Sequence, residues 1–314
     1  MDRNSIKVLI VAHSVNGSVS PFVSEQAESL RRAGCVTEIF PLRGRGASGY
    51  LRNLRPLRNA IHEFRPDLVH AHYGLTALLA NMQRLCPVVS TYHGSDVHSS
   101  GFIRFLSRIS MRLSSYNIFV SDDLYRLSRY RGADAAVIPC GIDMELFRPV
   151  DRLLARERMG IPASCRLVLF AGAFDRLVKN PALALETMKM VPGAELKELK
   201  GYTREEMSLL MNASDCLLMT SFREGSPMVI KEALAVGLPI VSVDVGDVAG
   251  SISGIDGCFL SIGSPQDLAD NVKRALSFGK RTAGRERLCS MGLPIDRISE
   301  RIIGVYRSVL SSQL

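Results

Sequence analysis

Short β-branched apolar runs alternate with stretches of helical period along almost the whole chain, and this alternation narrows the possible folds more than any other feature. The runs fall at residues 7–12, 36–40, 66–71, 87–92, 117–120 and 136–138, and again at 166–170, 215–221 and 240–243. Strands spaced by helices predict an α/β architecture with doubly wound parallel sheets. The punctuation agrees: Ser20 and Pro21 open a helix that Gly34 ends, and Ser264-Pro265-Gln266-Asp267 reads as a capping box. A length of 314 residues with 46% hydrophobic content suffices for two cores. The turn at 139–143, followed by Phe147-Arg148-Pro149, marks the end of a first domain, 1–149, and leaves 150–314 for a second. Ile298, Ile302, Val305, Tyr306 and Val309 give a closing amphipathic helix at about 296–314.

One strand-to-helix junction carries chemistry. It reads Glu224-Gly225-Ser226-Pro227-Met228-Val229-Ile230-Lys231-Glu232. Ser226 suits a helix N-cap and Pro227 the first helical position. The free N–H groups of such a first turn, with the helix dipole, form an anion site. A carboxylate on each side of that turn suits a ligand with hydroxyls on both sides of its phosphates, such as a nucleotide sugar. The plainer reading is a capped helix with two solvated glutamates. The run at 215–221 before the turn and the strand at 240–243 after the helix make a βαβ unit. Ligands of open parallel sheets bind beyond the carboxyl ends of the strands, where Glu224 falls.

With that context the sequence resembles family 4 of the retaining glycosyltransferases, whose signature is a glutamate, seven residues and a second glutamate. Glu224 and Glu232 match it, and Pro139-Cys140-Gly141-Ile142-Asp143 with Phe147-Arg148-Pro149 is similar to the family's inter-domain segment. The resemblance implies a GT-B fold: two Rossmann-like doubly wound domains facing a cleft, with the last helix packing back on the first. It implies that Glu224 faces the donor sugar's hydroxyls and that Glu232 holds the ribose. Ser226, Pro227, Met228 and Val229, with Gly225 in the same turn, then lie along the diphosphate. The implied activity is retaining, metal-independent transfer of a hexose from a nucleotide-diphosphate sugar, UDP or GDP, to a glycan or lipid-linked acceptor. Cell-surface polysaccharide or glycolipid synthesis is its setting.

Breaking the bond between sugar and diphosphate builds negative charge on the leaving group, which a metal or fixed cations must meet. The chain has no Asp-x-Asp, but Arg176 and Lys179 follow the run at 166–170, with Asn180 and Pro181 opening a helix. The family has an arginine and a lysine at the equivalent point, more widely spaced; alone, the two would read as surface cations. His93, in Thr91-Tyr92-His93-Gly94-Ser95-Asp96, matches the family's Thr-x-His-Gly-x-Asp run. The match implies that His93 points at the donor sugar, with Asp96 supporting the loop. His70 and His72 end the preceding strand and line the acceptor side; a zinc site with His93 is the weaker alternative. Gly17 and Ser18 in the first loop let backbone approach a phosphate. Tyr202 walls the nucleobase or simply packs. Between 189 and 201 the family's usual strand and glycine turn are shortened.

Composition sets the remaining bounds. Residues 1–149 carry 18 Lys and Arg against 12 Asp and Glu, and most of the net charge of +8 lies there. Arg104, Arg108 and Arg112 recur every fourth residue beside Phe102, Ile103, Phe105, Leu106 and Ile109, which predicts a basic amphipathic helix. It either touches an anionic membrane or presents a solvated arginine face. No nucleic-acid motif accompanies the charge, and tryptophan is absent. Seven cysteines without a Cys-x-x-Cys pair, no signal-peptide core and no long apolar run predict a cytoplasmic protein, at most at the inner face of the membrane. Two rival functions fit the same fold: a nucleotide-sugar epimerase, and a non-catalytic sugar-nucleotide-binding subunit. A dinucleotide oxidoreductase does not, because the glycine fingerprint is missing.

Overall fold

The computed structural model describes residues 5–15, 17–44, 46–94 and 101–312. The chain divides into two compact units, residues 1–141 with 295–314, and residues 142–294. The division falls after Gly141, not after Pro149, for a local reason. Ser208 Oγ donates to Leu146 O at 2.7 Å, Asn212 Nδ2 donates to Arg148 O at 3.0 Å, and Val150 N donates to Asn212 Oδ1 at 2.8 Å. Phe147 is fully buried. The segment 142–150 is thus bound into the second unit, whatever its turn-like composition suggests.

The first unit is built on β1 (Lys7–Val15), β2 (Ser18–Val19), β3 (Val36–Leu42), β4 (Leu68–His72), β5 (Val88–Tyr92), β6 (Tyr116–Phe119) and β7 (Ala135–Val137). Parallel pairing gives the order β3-β1-β4-β5-β6-β7, and β2 folds back antiparallel on the end of β1. Every residue of β4 and β5 is buried, as expected for strands covered on both faces. The helix Pro21–Arg32 starts at the expected proline, but Ser20 makes no side-chain cap bond. Gly34, at φ +94°, ends it, and Cys35 N closes back onto Leu30 O.

The closing helix, Ile295–Ser311, packs on Pro21–Arg32. Ser29 Oγ donates to Asp296 Oδ1 at 3.0 Å, and Ser299 Oγ donates to Ser29 Oγ at 2.9 Å. The basic helix, Gly101–Leu113, does not turn its phenylalanines inward. Its buried residues are Ser107, Ser110 and Met111. A Cβ on Gly74 would meet Ser107 Oγ at 2.3 Å, so small residues let two helices approach closely. Phe102 and Phe105 are left 72% and 58% exposed.

The second unit is built on β8 (Arg166–Phe170), β9 (Ala194–Glu198), β10 (Cys216–Met219), β11 (Ile240–Val243) and β12 (Cys258–Ser261). All pairs are parallel, in the order β12-β11-β10-β8-β9. The shortened stretch before Gly201 keeps a full edge strand, β9. Its charged residues hid it from an apolar-run reading. Ser264 accepts from Asp267 N at 3.2 Å as expected. The Asp267 carboxylate, however, turns to Ser261 Oγ and Ile262 N, so the box is half formed. A complete capping box stands instead at Thr203 and Glu206.

Candidate active site

In the second sheet β8 and β10 are neighbours, and the chain leaves β8 toward β9 on one side but leaves β10 toward β11 on the other. Loops after β8 and β10 therefore diverge and leave a crevice at their carboxyl ends. Lys179 and Glu224 meet there. Lys179 Nζ lies 2.7 Å from Glu224 Oε1, with side chains 22% and 17% exposed. Room for the lysine stem comes from Gly172, where a Cβ would sit 2.7 Å from Lys179 Cγ. Thr220 Oγ1 donates to the carbonyls of Lys179 and Asn180 at 3.0 and 2.9 Å, and Phe222 N donates to Val178 O. The two loops are thus joined through backbone, and the ion pair is presented from a fixed frame.

Gly225 and Ser226 pass over a third loop. Gly246 has φ +60°, and a Cβ there would meet Gly225 O at 2.6 Å, so only glycine allows this approach. Ser226 does not cap the helix. Its hydroxyl donates to Asp247 Oδ2 at 2.5 Å, and the helix Met228–Ala235 begins after Pro227. Met228 and Val229 stand in the first turn of that helix, where N–H groups have no intrahelical partner. Asn180 likewise precedes its helix, Pro181–Lys189, without a side-chain cap, at φ +53°.

Glu232 is 2% exposed, and Arg204 Nη1 reaches its Oε1 at 2.6 Å. The Arg204 guanidinium lies 4.7 Å over the ring of Phe147. Sequence reading missed Arg204, because the pair spans 28 positions and two helices; its only local signal is a cation one residue past the Thr203 cap. Removing one partner of a buried pair is costly. With Arg204 partly exposed, we expect Arg204→Ala to lower unfolding stability by about 2 kcal/mol and Arg204→Lys by less. Urea midpoints at constant slope check this. Unchanged midpoints would mean that the pair contributes nothing to stability.

The other expected residues fall less centrally. Arg176 is exposed at the start of a 3₁₀ turn, and its guanidinium makes no hydrogen bond or ion pair among the described residues. Tyr202 is half-buried just before the Thr203 cap. Gly17, Ser18 and His93 belong to the first unit. Gly17, at φ +85°, turns the β1–β2 hairpin, with open space where a Cβ would stand. Asp96 lies outside the described residues.

His93 stands just past β5 in a ladder of rings. His70 and His72 centroids are 4.6 Å apart, and those of His72 and His93 are 5.2 Å apart, both stacked. Tyr73 and Phe22 flank His93. His72 Nδ1 and His93 Nε2 are 2.9 Å apart, and His93 Nδ1 lies 3.7 Å from Cys140 Sγ. His70 bonds Tyr306 OH and Thr91 Oγ1 at 2.6 and 2.7 Å. Both ring nitrogens of His93 and of His70 are thus turned to protein groups. Stacked rings do not aim lone pairs at one point, and no group of three metal-ligating side chains stands together among the described residues. Burial pushes His72 down to about 3 and His70 well below the usual imidazole range, with the neighbouring histidines adding to the latter. His70 and His72 are therefore neutral at physiological pH.

Taken together, the second-unit groups offer an ammonium, two carboxylates and first-turn backbone N–H groups on the carboxyl-end side of one sheet, a set suited to a phosphorylated polyol. Residues 1–146 match the family model described as Glycosyltransferase Family 4, and residues 169–277 match that described as Glycosyl transferases group 1. A glycosyltransferase of Bacillus subtilis named for teichuronic acid biosynthesis, TuaC, is 27% identical over 67% of this chain and 61% of its own length. The D-inositol 3-phosphate glycosyltransferase of Mycobacterium bovis is 26% identical over 73% of this chain and 57% of its own length. The chain therefore spans about three fifths of the length of the curated relatives it matches. Sucrose-phosphate synthase of Thermosynechococcus elongatus shares the fold with a TM-score of 0.81, 17% identity and coverage of 98% and 100% of the two chains. Anabaena HepE, solved with UDP, superposes with a TM-score of 0.75, 18% identity and coverage of 96% and 100%. From these matches and its two parallel-sheet units, the chain belongs to the family 4, group 1 glycosyltransferases and has the GT-B fold.

Proposed function

We propose that the protein transfers a hexose, with retention and without a metal, from UDP- or GDP-sugar to a glycan or lipid-linked acceptor. The observation that carries this reading is the Lys179–Glu224 pair at the edge of the β8–β10 crevice, beside an open helix N-terminus. A diphosphate entering there takes Lys179 and the N–H groups of Met228 and Val229 as charge partners. Glu224, released from the lysine, accepts the sugar hydroxyls. Glu232, steadied by Arg204, accepts the ribose hydroxyls. HepE, solved with UDP and with UDP-glucose, supports the choice of donor class. His93 contributes position, not proton transfer, because its ring nitrogens are engaged.

Product analysis tests the reaction. From an α-configured donor the expected product is an α-linked glycoside, read by the anomeric coupling in proton NMR. A β-linked product would contradict retention, and conversion of the donor without acceptor would favour an epimerase.

We also propose peripheral contact with an anionic membrane through the helix Gly101–Leu113. Phe102 and Phe105 are exposed on the helix that carries Arg104 and Arg108, the pattern of an interfacial helix. No helix of the described residues is long and apolar enough to cross a membrane. Vesicles containing phosphatidylglycerol should bind the protein at low salt, and Phe102→Ser with Phe105→Ser should weaken binding about tenfold or more. Equal binding of the variant, or none by the wild type, would remove this contact. All seven cysteines are free thiols, which supports a reducing compartment and a cytoplasmic location.

A further inference from the structure

The second unit holds another cavity, at the opposite end of its sheet. It has a volume of about 270 Å³ and is lined by Asp151, Arg152, Asp215, Lys280 and Arg281, with Gly279 and neighbouring apolar groups. Asp215 precedes β10, whereas Thr220, which braces Lys179, follows it. At about 3.3 Å per residue the two ends are roughly 17 Å apart, so this cavity is not the donor crevice.

The charges around it do not cancel. Asp215 is already committed: it takes Arg152 Nη1 at 2.7 Å, Arg156 Nη2 at 2.8 Å and Leu167 N at 2.8 Å. Asp151 accepts Leu154 N as the cap of the helix Arg152–Met159. Among the described residues Arg281 donates only to the carbonyls of Asn212 and Ser214, and Lys280 rests over the ring of Phe278. Neither has a carboxylate partner among the described residues. Burial, then the nearby Arg152, lowers Arg281 to about 10, with Asp215 opposing and Arg156 adding to the fall. Opposing an anion are Asp151, Asp215 and the carbonyl end of the helix Pro265–Phe278. Favouring it are the three lining cations, Arg152, Lys280 and Arg281, and the first turn of the helix at Arg152.

We propose that this cavity binds a phosphate group, as inorganic phosphate or a small phosphate monoester, held by Arg281 and Lys280 with Arg152 at the rim. A guanidinium fork matches phosphate oxygens in pairs, which a spherical chloride cannot use. The volume equals about nine waters at roughly 30 Å³ each, enough for phosphate with part of its hydration or a short ester. It lies at the small end of ligand pockets, which run from about 300 Å³ upward, and so suits a phosphate or short ester better than a sugar nucleotide. The inference does not rest on the transfer activity.

Calorimetric titration of the full chain with inorganic phosphate, at ionic strength held constant with chloride, tests it. Wild type and Lys179→Gln should bind one phosphate with the same affinity. Lys280→Glu, at an exposed position, should bind at least tenfold more weakly while keeping its far-ultraviolet circular dichroism. Arg152→Gln should weaken binding by a smaller factor. Glycerol 3-phosphate in place of phosphate separates ester from free ion: whichever saturates at lower concentration is the better ligand. Binding lost in Lys179→Gln but kept in Lys280→Glu would put the ion in the donor crevice and overturn the proposal, as would failure of both phosphates to saturate the wild type.

Discussion

Replacing Lys179 by alanine is expected to lower kcat by about 10²- to 10³-fold, the loss seen when one fixed group facing developing negative charge is removed. The lysine's ammonium is paired with Glu224, and the loop that carries it is tied by Thr220 and Phe222 to the loop that leads to Glu224. Its removal takes a positive charge from the leaving diphosphate and leaves Glu224 repelling it. Glu224→Gln should also slow transfer, mainly in kcat, because the amide fits the position but accepts sugar hydroxyls less strongly. The two changes act on one unit, so the double variant should be little worse than the worse single one. Steady-state rates of the three variants, with melting temperatures to confirm folding, check this. Full rates in Lys179→Ala or Glu224→Gln would contradict the assignment, and strictly multiplicative losses would mean that the pair does not work as a unit.

The second large effect is acid sensitivity of the first unit. His72 has its folded pKa pushed down to about 3 by burial. Unfolded, it binds a proton near its ordinary pKa of about 6.5. Between those values the unfolded chain carries the extra proton, so stability is complete above about pH 6.5 and is lost as pH falls toward 3. From pH 7.5 to pH 5 the loss from His72 alone is about 2 kcal/mol, and His70, shifted in the same direction, adds to it. Exposed carboxylates with lowered pKa, such as Asp175 and Asp270, titrate below this window and do not obscure it. Urea midpoints measured from pH 7.5 to 5 should fall, and His72→Asn should flatten the slope. A pH-independent midpoint would show that the ladder takes up protons without unfolding.

Much of this arrangement was legible in the residues. Apolar runs located nine of the twelve described strands, all but β2, β9 and β12, because strands buried on both faces cannot avoid being apolar. Pro21, Gly34 and Pro181 marked helix ends through backbone restrictions that act locally. Glu224 and Glu232 stood out because both flank one turn. What escaped notice depends on partners distant in sequence. Ser226 looked like a cap, but Asp247, 21 positions on, takes its hydroxyl. Arg204 became visible only when two helices brought it to Glu232. β9 was hidden because an edge strand needs no apolar run, and 142–150 was misassigned because Ser208 and Asn212 hold it from 62 and 64 positions away. The outward turn of Phe102 and Phe105 follows from Gly74 and Ser107, small residues whose close approach no helical period announces.

The most direct measurement is calorimetric titration of UDP- and GDP-hexoses into the wild type in EDTA and into Lys179→Ala. One nucleotide sugar should bind the wild type at a single site with the metal chelated, and at least tenfold more weakly to the variant. Equal affinity for both proteins, or binding only when a divalent cation is restored, would contradict a metal-free diphosphate site at Lys179.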